Sequence, residues 1–337
     1  MFYSTQGKLS NDDSHSYDKY ENMLQDLRKA AEIHKKVRNY ARQFLTPGQD
    51  LLEFCNKLEE KNRELSQSQD YSNGIGFPTG ASINHCAAHF TPTIGDNIKL
   101  TNNDVLKVDF GTHVNGWIID SAFTHSFDPK YDKLLEAAQE ATNTGIKEAG
   151  IDARLGEIGG AIQETMESFE IELDGKTVPI KSVKNLGGHN IQPYKIHAGK
   201  YIPCIKTNDN TKMEEGEVYA VETFATTGSG IVREHEPTSH FMKNINAPYN
   251  NLKHKVSKKL LSHINKKYNT LPFCDKWLQQ DKTSGFHKIG LEELCKQQII
   301  TKYPPLYDVR GSYVAQFEHT IVLKPSGKEI LSKGGDY

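Results

Sequence analysis

The sequence predicts an α/β fold of the α+β kind, with two related halves, each an antiparallel sheet with flanking helices, and an inserted helical subdomain. Three observations carry this prediction. Stretches with apolar residues every three or four positions alternate with short β-like runs. The dipeptide Asn115-Gly116, the strongest short-range hairpin signal, separates two of those runs. A short echo links the halves: DVLKVD at 104–109 and EVYAVE at 217–222 repeat acidic, Val, Val, acidic at a constant offset of 113 residues, each after a helix pair.

The elements follow in order. Residues 1–16 are polar and are expected to be frayed, and the catalytic fold is expected over 17–337. From Tyr17, the spacing of Tyr20, Met23, Leu24, Leu27, Ala31, His34, Val37, Ala41 and Leu45 predicts an amphipathic helix. Thr46-Pro47-Gly48 interrupts it, with Thr46 the expected N-cap of a second helix over QDLLEFCNKLEEKNREL. Between Gly74 and Phe127 the texture becomes strand-like, punctuated by Pro, Gly, Asn and Asp. Asp128-Pro129 opens a helix running toward Gly150, and Leu155, Ile158, Ile162, Met166 and Phe169 stripe the next. After a second set of strands, residues 241–303 read as a Lys-rich helical insertion. There Leu252, Val256, Leu260 and Ile264 fall at four-residue steps, with the lysines on the other faces. Strand texture resumes in GSYVAQFEHTIVL.

Composition excludes several classes. The 41 Lys+Arg against 43 Asp+Glu leave a formal charge of −2, unlike the basic footprint of a dedicated nucleic-acid binder. No run approaches the roughly 18 apolar residues of a membrane helix. The N-terminal stretch lacks the basic and apolar regions of a secretory signal, and the five cysteines form no CxxC pair, so a reducing, cytoplasmic compartment is expected.

The chemistry concentrates in carboxylates on strands. With Asn115-Gly116 as a two-residue turn, Asp109 faces Ala122 and Asp120 faces Gly111, which makes the two Asp diagonal neighbours about 7–8 Å apart or less. Leu106, Val108, Phe110, Val114, Trp117, Ile119 and Phe123 occupy the other face, the predicted core. For one isolated pair of Asp, a solvated sheet surface suffices. Glu222 and Glu318, however, also sit inside strands, where a carboxylate is costly without a partner. Together with a glycine-flanked histidine, His189, they form a set of hard oxygen donors plus one nitrogen, suited to a pair of divalent first-row cations. Two such ions would offset the charges and generate a hydroxide nucleophile.

In this order, HFTP at His89, KVDFGTHVNGWIIDSAF, LGGHNIQPYKIHAG, MEEGEVYAVETFA and QFEHTIVL resemble the motifs of the type 2 methionine aminopeptidases across most of the chain. The resemblance implies the pita-bread fold, which agrees with the 113-residue echo. It implies metal ligation by Asp109, Asp120, His189, Glu222 and Glu318, with Asp120 and Glu318 bridging two ions (Co, Mn, Fe or Zn). It further implies catalytic roles for His89, His197 and Glu222, and a methionine pocket walled by Phe77, Ile196 and His240 with Pro272 and Tyr303 nearby. The implied reaction is cotranslational removal of the initiator methionine before a small second residue by a dinuclear-metal-activated hydroxide. Implied partners are nascent polypeptide N-termini and fumagillin-type inhibitors at His89, for a monomer without a membrane contact. Ribosome association is left open by the short polar start. Within LGGH, Gly187 replaces an Asn common in that motif, bearing on loop rigidity and the pocket entrance.

Two other readings compete. Proline-specific aminopeptidases of this fold usually carry a sizeable leading domain, for which the residues before Gly74 leave little room, and type 1 methionine aminopeptidases lack an insertion like 241–303. An inactive homologue that binds RNA or ribosomes would have lost ligands, whereas the set here is complete.

Overall fold

The computed structural model describes residues 11–67, 70–247, 252–281 and 287–337. Helices α1 (Asn11–Gln43) and α2 (Leu51–Ser66) precede strands β1 (Asn73–Ile83), β2 (Cys86–Ala88), β3 (Val105–Val114) and β4 (Trp117–Ser126). Helices α3 (Asp132–Glu148) and α4 (Leu155–Glu167) then lead into β5 (Glu170–Leu173), β6 (Lys176–Pro179), β7 (Lys181–Ser182), β8 (Gly187–Ile191), β9 (Tyr201–Pro203), β10 (Val218–Thr226), β11 (Arg233–Glu234) and β12 (His240–Lys243). The insertion holds α5 (Lys255–Lys267), β13 (Phe273–Cys274), α6 (Asp275–Gln280), α7 (His287–Lys296) and β14 (Ile300–Tyr303). The last strands are β15 (Leu306–Tyr307), β16 (Val314–Lys324) and β17 (Gly327–Ile330).

Two antiparallel sheets, β1-β3-β4 and β17-β16-β10-β8-β9, form the centre. Helices α1 and α2 cover the first and α3 and α4 the second, so a helix pair and a sheet occur twice. The two echoed segments fall at β3 and β10, one in each sheet. One continuous core runs through both halves, with Leu27, Val37, Phe54, Val108, Phe110, Phe123, Ile162, Val221 and Ile321 buried in it.

β4 and β16 meet in a seam made by hydroxyl groups. Thr320 Oγ1 accepts from the Asp120 N–H at 2.8 Å and donates to the Asp120 carbonyl at 2.6 Å. Thr124 Oγ1 does the same with Gln316, at 2.7 Å each way. Each threonine takes the place of a pair of ladder bonds, which satisfies the strand edges while leaving side-chain room between the two sheets.

The hairpin register follows the turn chemistry. Val114 pairs with Trp117, Gly111 with Asp120 and Asp109 with Ala122, as predicted. Asn115 and Gly116 both have positive φ, at 49° and 83°. The predicted core face is buried except at Trp117, which is half-buried.

Three expectations change. The residues expected to be frayed divide, since helix α1 already includes Asn11 while residues 1–10 lie outside the described residues. The second helix is capped by Asp50, whose side chain accepts from the Glu53 N–H at 2.9 Å, and not by Thr46. The reason is tertiary: the N–H groups of Gly48 and Leu51 bond to the carbonyls of Leu100 and Ile98, which keeps the chain extended through Asp50. The insertion is mixed, because a small sheet β13-β12-β14 joins its helices around a second core of Phe241, Leu260, Ile264, Phe273, Trp277 and Leu294; its residues 248–251 and 282–286 lie outside the described residues. This unit is pinned to α2 by fully buried Lys276, 2.9 Å from Glu59, and by Trp277 Nε1 donating to Glu59 at 2.7 Å.

Replacing the observed cap, Asp50→Ala, is expected to destabilise the protein by about 1 kcal/mol. Thr46→Ala at its exposed position should change stability by less than about 0.5 kcal/mol. Urea unfolding of the two variants checks the assignment, and a larger loss at Thr46 would reverse it.

Candidate metal centre

Four carboxylates converge where the two sheets meet. Asp109 comes from β3 and Asp120 from β4, while Glu222 on β10 and Glu318 on β16 stand directly opposite one another in the antiparallel register. His189, from β8, pairs with Ala220 of β10. Its Nε2 lies 3.5 Å from Asp120 and 4.0 Å from Glu222. Ligand atoms of Asp120, His189 and Glu318 all lie within 4.8 Å of one another.

The electrostatics are those of an unbalanced cluster. Burial, followed by mutual repulsion, raises the carboxyls of Asp109, Glu222 and Glu318 well above the usual range. Burial pushes Asp120 up to about 7 and holds His189 down at about 4. Gln316 Nε2 is a protein donor shared within the cluster, 3.3 Å from Asp109 and 3.0 Å from Glu222. Asp109 Oδ1, Asp120 Oδ1, Glu318 Oε2 and His189 Nδ1 are buried without a hydrogen-bond partner among the described residues. Buried acceptors left open side by side, with hard-donor chemistry, fit divalent cations.

The wider cavity is lined by every residue singled out in the sequence: Phe77, His89, Asp109, Asp120, His189, Ile196, His197, Glu222, His240, Pro272, Tyr303 and Glu318. His89 holds φ at 64°, a conformation uncommon outside glycine, and burial lowers its imidazole to about 4. Its ring meets Tyr303 edge-on at 5.8 Å, and the rings of His189 and His197 stand edge-to-face at 4.3 Å. His240 lies with Nε2 2.5 Å from Thr91 Oγ1, and that hydroxyl donates its single proton to the Thr79 carbonyl at 2.7 Å. Thr91 therefore accepts from His240, which fixes the neutral ring with its proton on Nε2. Gly111 makes space for the pocket wall, since a Cβ there would lie 2.4 Å from the Phe77 ring. At Gly187 a Cβ would fall 2.1 Å from the Ile202 carbonyl, so the glycine in LGGH lets β9 close against β8.

Sequence reasoning missed Phe224 and Met242 in the cavity wall and Gln316 beneath the carboxylates. The signal for Gln316 was present: it lies two residues before Glu318 in one strand, hence on the same face.

Comparison with known proteins agrees with this geometry. The pattern of "Metallopeptidase family M24" matches residues 25–244. A protein of Talaromyces marneffei named "Methionine aminopeptidase 2-1" is 51% identical over 340 residues, covering 98% of this chain and 76% of that protein. "Methionine aminopeptidase 2" of Dictyostelium discoideum is 54% identical over 320 residues, covering 94% and 72%. Among solved structures, a thermophilic Arx1 superposes with a TM-score of 0.79 at 19% identity over 94% of this chain and 92% of that one. A methionine aminopeptidase from Thermotoga maritima gives 0.63 at 19% identity over 93% and 97%. These two share the fold. The family match, the relatives at about half identity and the converging ligand set lead to one conclusion: the chain belongs to the M24 metallopeptidases of the pita-bread fold, in the type 2 methionine aminopeptidase branch.

Proposed function

We propose that this chain hydrolyses the peptide bond after an N-terminal methionine, and that Asp109, Asp120, His189, Glu222 and Glu318 would hold the two divalent cations the reaction uses. The observation that supports the two cations is the set of four mutually repelling carboxylates, Asp120 and Glu318 buried and Asp109 and Glu222 largely so, three of them with an open acceptor oxygen. Two doubly charged ions offset four carboxylates, and when bound they supply a nucleophile from water near neutral pH and polarise the scissile carbonyl.

The protein groups divide the remaining work. Glu222, whose Oε2 is fixed by Gln316, accepts the proton released by water and passes it to the leaving amine. Burial keeps His89 neutral near pH 7, and with its one N–H given to the Pro304 carbonyl its other ring nitrogen is left to accept from the N–H of the scissile amide or leaving amine. His197, beside His189 at the cavity, donates to the oxygen that becomes negative in the tetrahedral intermediate. Phe77, Ile196, His240, Pro272 and Tyr303 enclose the methionine side chain, with Phe224 and Met242 completing an apolar, adaptable wall. In this reading the chain is a cytoplasmic monomer acting cotranslationally on nascent N-termini with a small second residue, and His89 is the attachment point for fumagillin-type epoxides. Residues 241–303 act as a subdomain that supplies Pro272 and Tyr303 to the pocket. No helix among the described residues is long and apolar enough to cross a membrane. The complete ligand set disfavours the inactive RNA-binding alternative.

Purified protein given Mn²⁺ or Co²⁺ should release methionine from Met-Ala-Ser and not from Met-Lys peptides; no turnover with any divalent metal would overturn the assignment. Asp120→Asn or Glu318→Gln should abolish turnover, and His197→Ala should lower kcat by about 10²–10³. Stability provides a separate test. Because the folded carboxyls titrate above their unfolded values, the metal-free fold binds extra protons and loses stability as pH rises from about 4 through about 7. Chelation should therefore lower Tm more at about pH 8 than at about pH 5, and Mn²⁺ should restore it; a chelation effect that shrinks as pH rises would contradict the cluster's charge state.

A further inference from the structure

Asp120 and Glu318 line the cavity, and among the described residues no donor aims at Asp120 Oδ1 or Glu318 Oε2. Gln316 orients Asp109 and Glu222 but reaches neither Asp120 nor Glu318, whose carboxyls hydrogen-bond each other, so that pair is placed by the two strands that carry it. On β4 the next side chain, Ser121, points to the opposite face, and there its Oγ donates to the Glu318 carbonyl across the seam at 2.7 Å. Tyr337 reaches the same point from Gly334–Tyr337. Its Oη shares its one proton between the Ala122 carbonyl of β4 at 2.7 Å and, more weakly, the Glu318 carbonyl of β16 at 3.3 Å, and lies 2.9 Å from Ser121 Oγ. Ala122 is itself the register partner of Asp109. One phenol thus touches backbone or side-chain atoms of Ser121, Ala122 and Glu318, the residues that abut or carry three proposed ligands.

The phenol is in turn held by charge. Arg38 of α1, fully buried, grips Asp336 through Nε and Nη2 at 2.7 and 2.6 Å. Its Nη1 donates to the Ser332 carbonyl at 2.9 Å and to Ser121 Oγ and Tyr337 Oη at 3.3 and 3.4 Å. The guanidinium also lies over the Tyr337 ring, 4.4 Å from its centroid, and His319 stacks on that ring at 4.6 Å. Gly334 leaves room for this grip, because a Cβ there would lie 2.8 Å from Arg38 Nη2.

We propose that Tyr337, held by Arg38 and Asp336, is a positioning residue for the metal centre: its hydroxyl ties β4 to β16 behind Asp120 and Glu318 and so sets the separation of the two carboxylates. The inference rests on the metal-centre reading above. Outer hydrogen bonds that orient ligands typically govern about 10–100-fold in metal affinity or activity.

Tyr337→Phe retains the ring, its stacking and the Arg38 contact while deleting the hydroxyl. Co²⁺ affinity by calorimetry should fall about 10-fold or more, with an altered Co²⁺ absorption spectrum. The kcat for Met-Ala-Ser should fall similarly at unchanged KM, and the metal-free Tm should move by no more than about 4 °C. Tyr20→Phe, which removes a buried hydroxyl without a partner among the described residues, serves as the matched control and should alter none of these. Wild-type affinity and kcat in Tyr337→Phe, alongside their loss in Glu318→Gln, would overturn the positioning role. A fall in affinity matched by a larger collapse of the metal-free Tm would also overturn it, in favour of a purely structural clasp. If Glu318→Gln itself keeps the metal, the failure belongs to the metal-centre reading.

Discussion

Four carboxylates removed from water at one point set the terms for everything around them. Each is disfavoured by burial, and each raises the cost of ionising the next, so Asp109, Asp120, Glu222 and Glu318 cannot all carry charge without cations between them. A fold that keeps such a cluster must hold the acids rigidly in place, since side chains free to turn would splay toward solvent. The rigidity comes from strand interiors: all four belong to long, mostly buried strands of the two central sheets.

The seam between those sheets turns two ordinary antiparallel units into one site. A continuous backbone ladder from β4 to β16 would set the strands about 5 Å apart. Threonine hydroxyls bridge them instead, with Thr320 bonded to both polar groups of Asp120 and Thr124 to both of Gln316. The same rows place Asp120 beside Glu318 and bring Gln316 beneath Asp109 and Glu222. Buried Arg38, tied to Asp336, extends this control from the first helix to the back of the seam. The insertion adds the pocket wall from outside, anchored by a separate buried ion pair between Lys276 and Glu59.

What the sequence disclosed depended on whether the determining contact was local. The Asn115-Gly116 turn fixes its own register, so the Asp109–Ala122 and Gly111–Asp120 pairs could be counted from the sequence alone. The direct opposition of Glu222 and Glu318 could not, because it depends on a pairing between segments far apart in the chain. Thr46 had the chemistry of a cap and lost to Asp50 because Ile98 and Leu100 claim nearby backbone groups, a contact with no local signature. Tyr337 drew no attention as a residue, since a single tyrosine in GGDY shows nothing of the strands it touches. The candidate ligands were legible for a different reason: carboxylates inside apolar strand texture break the pattern, and the break itself is the signal.

We propose that these four acids and His189 hold two divalent ions. Anomalous diffraction at the metal absorption edges, from crystals of protein not reloaded after purification, tests it most directly. The account predicts two peaks about 3.5–4 Å apart, both contacted by Asp120 and Glu318, with Asp109 on one and His189 and Glu222 on the other. Peaks placed elsewhere, or a cluster that binds no divalent ion even when one is supplied in excess, would contradict it.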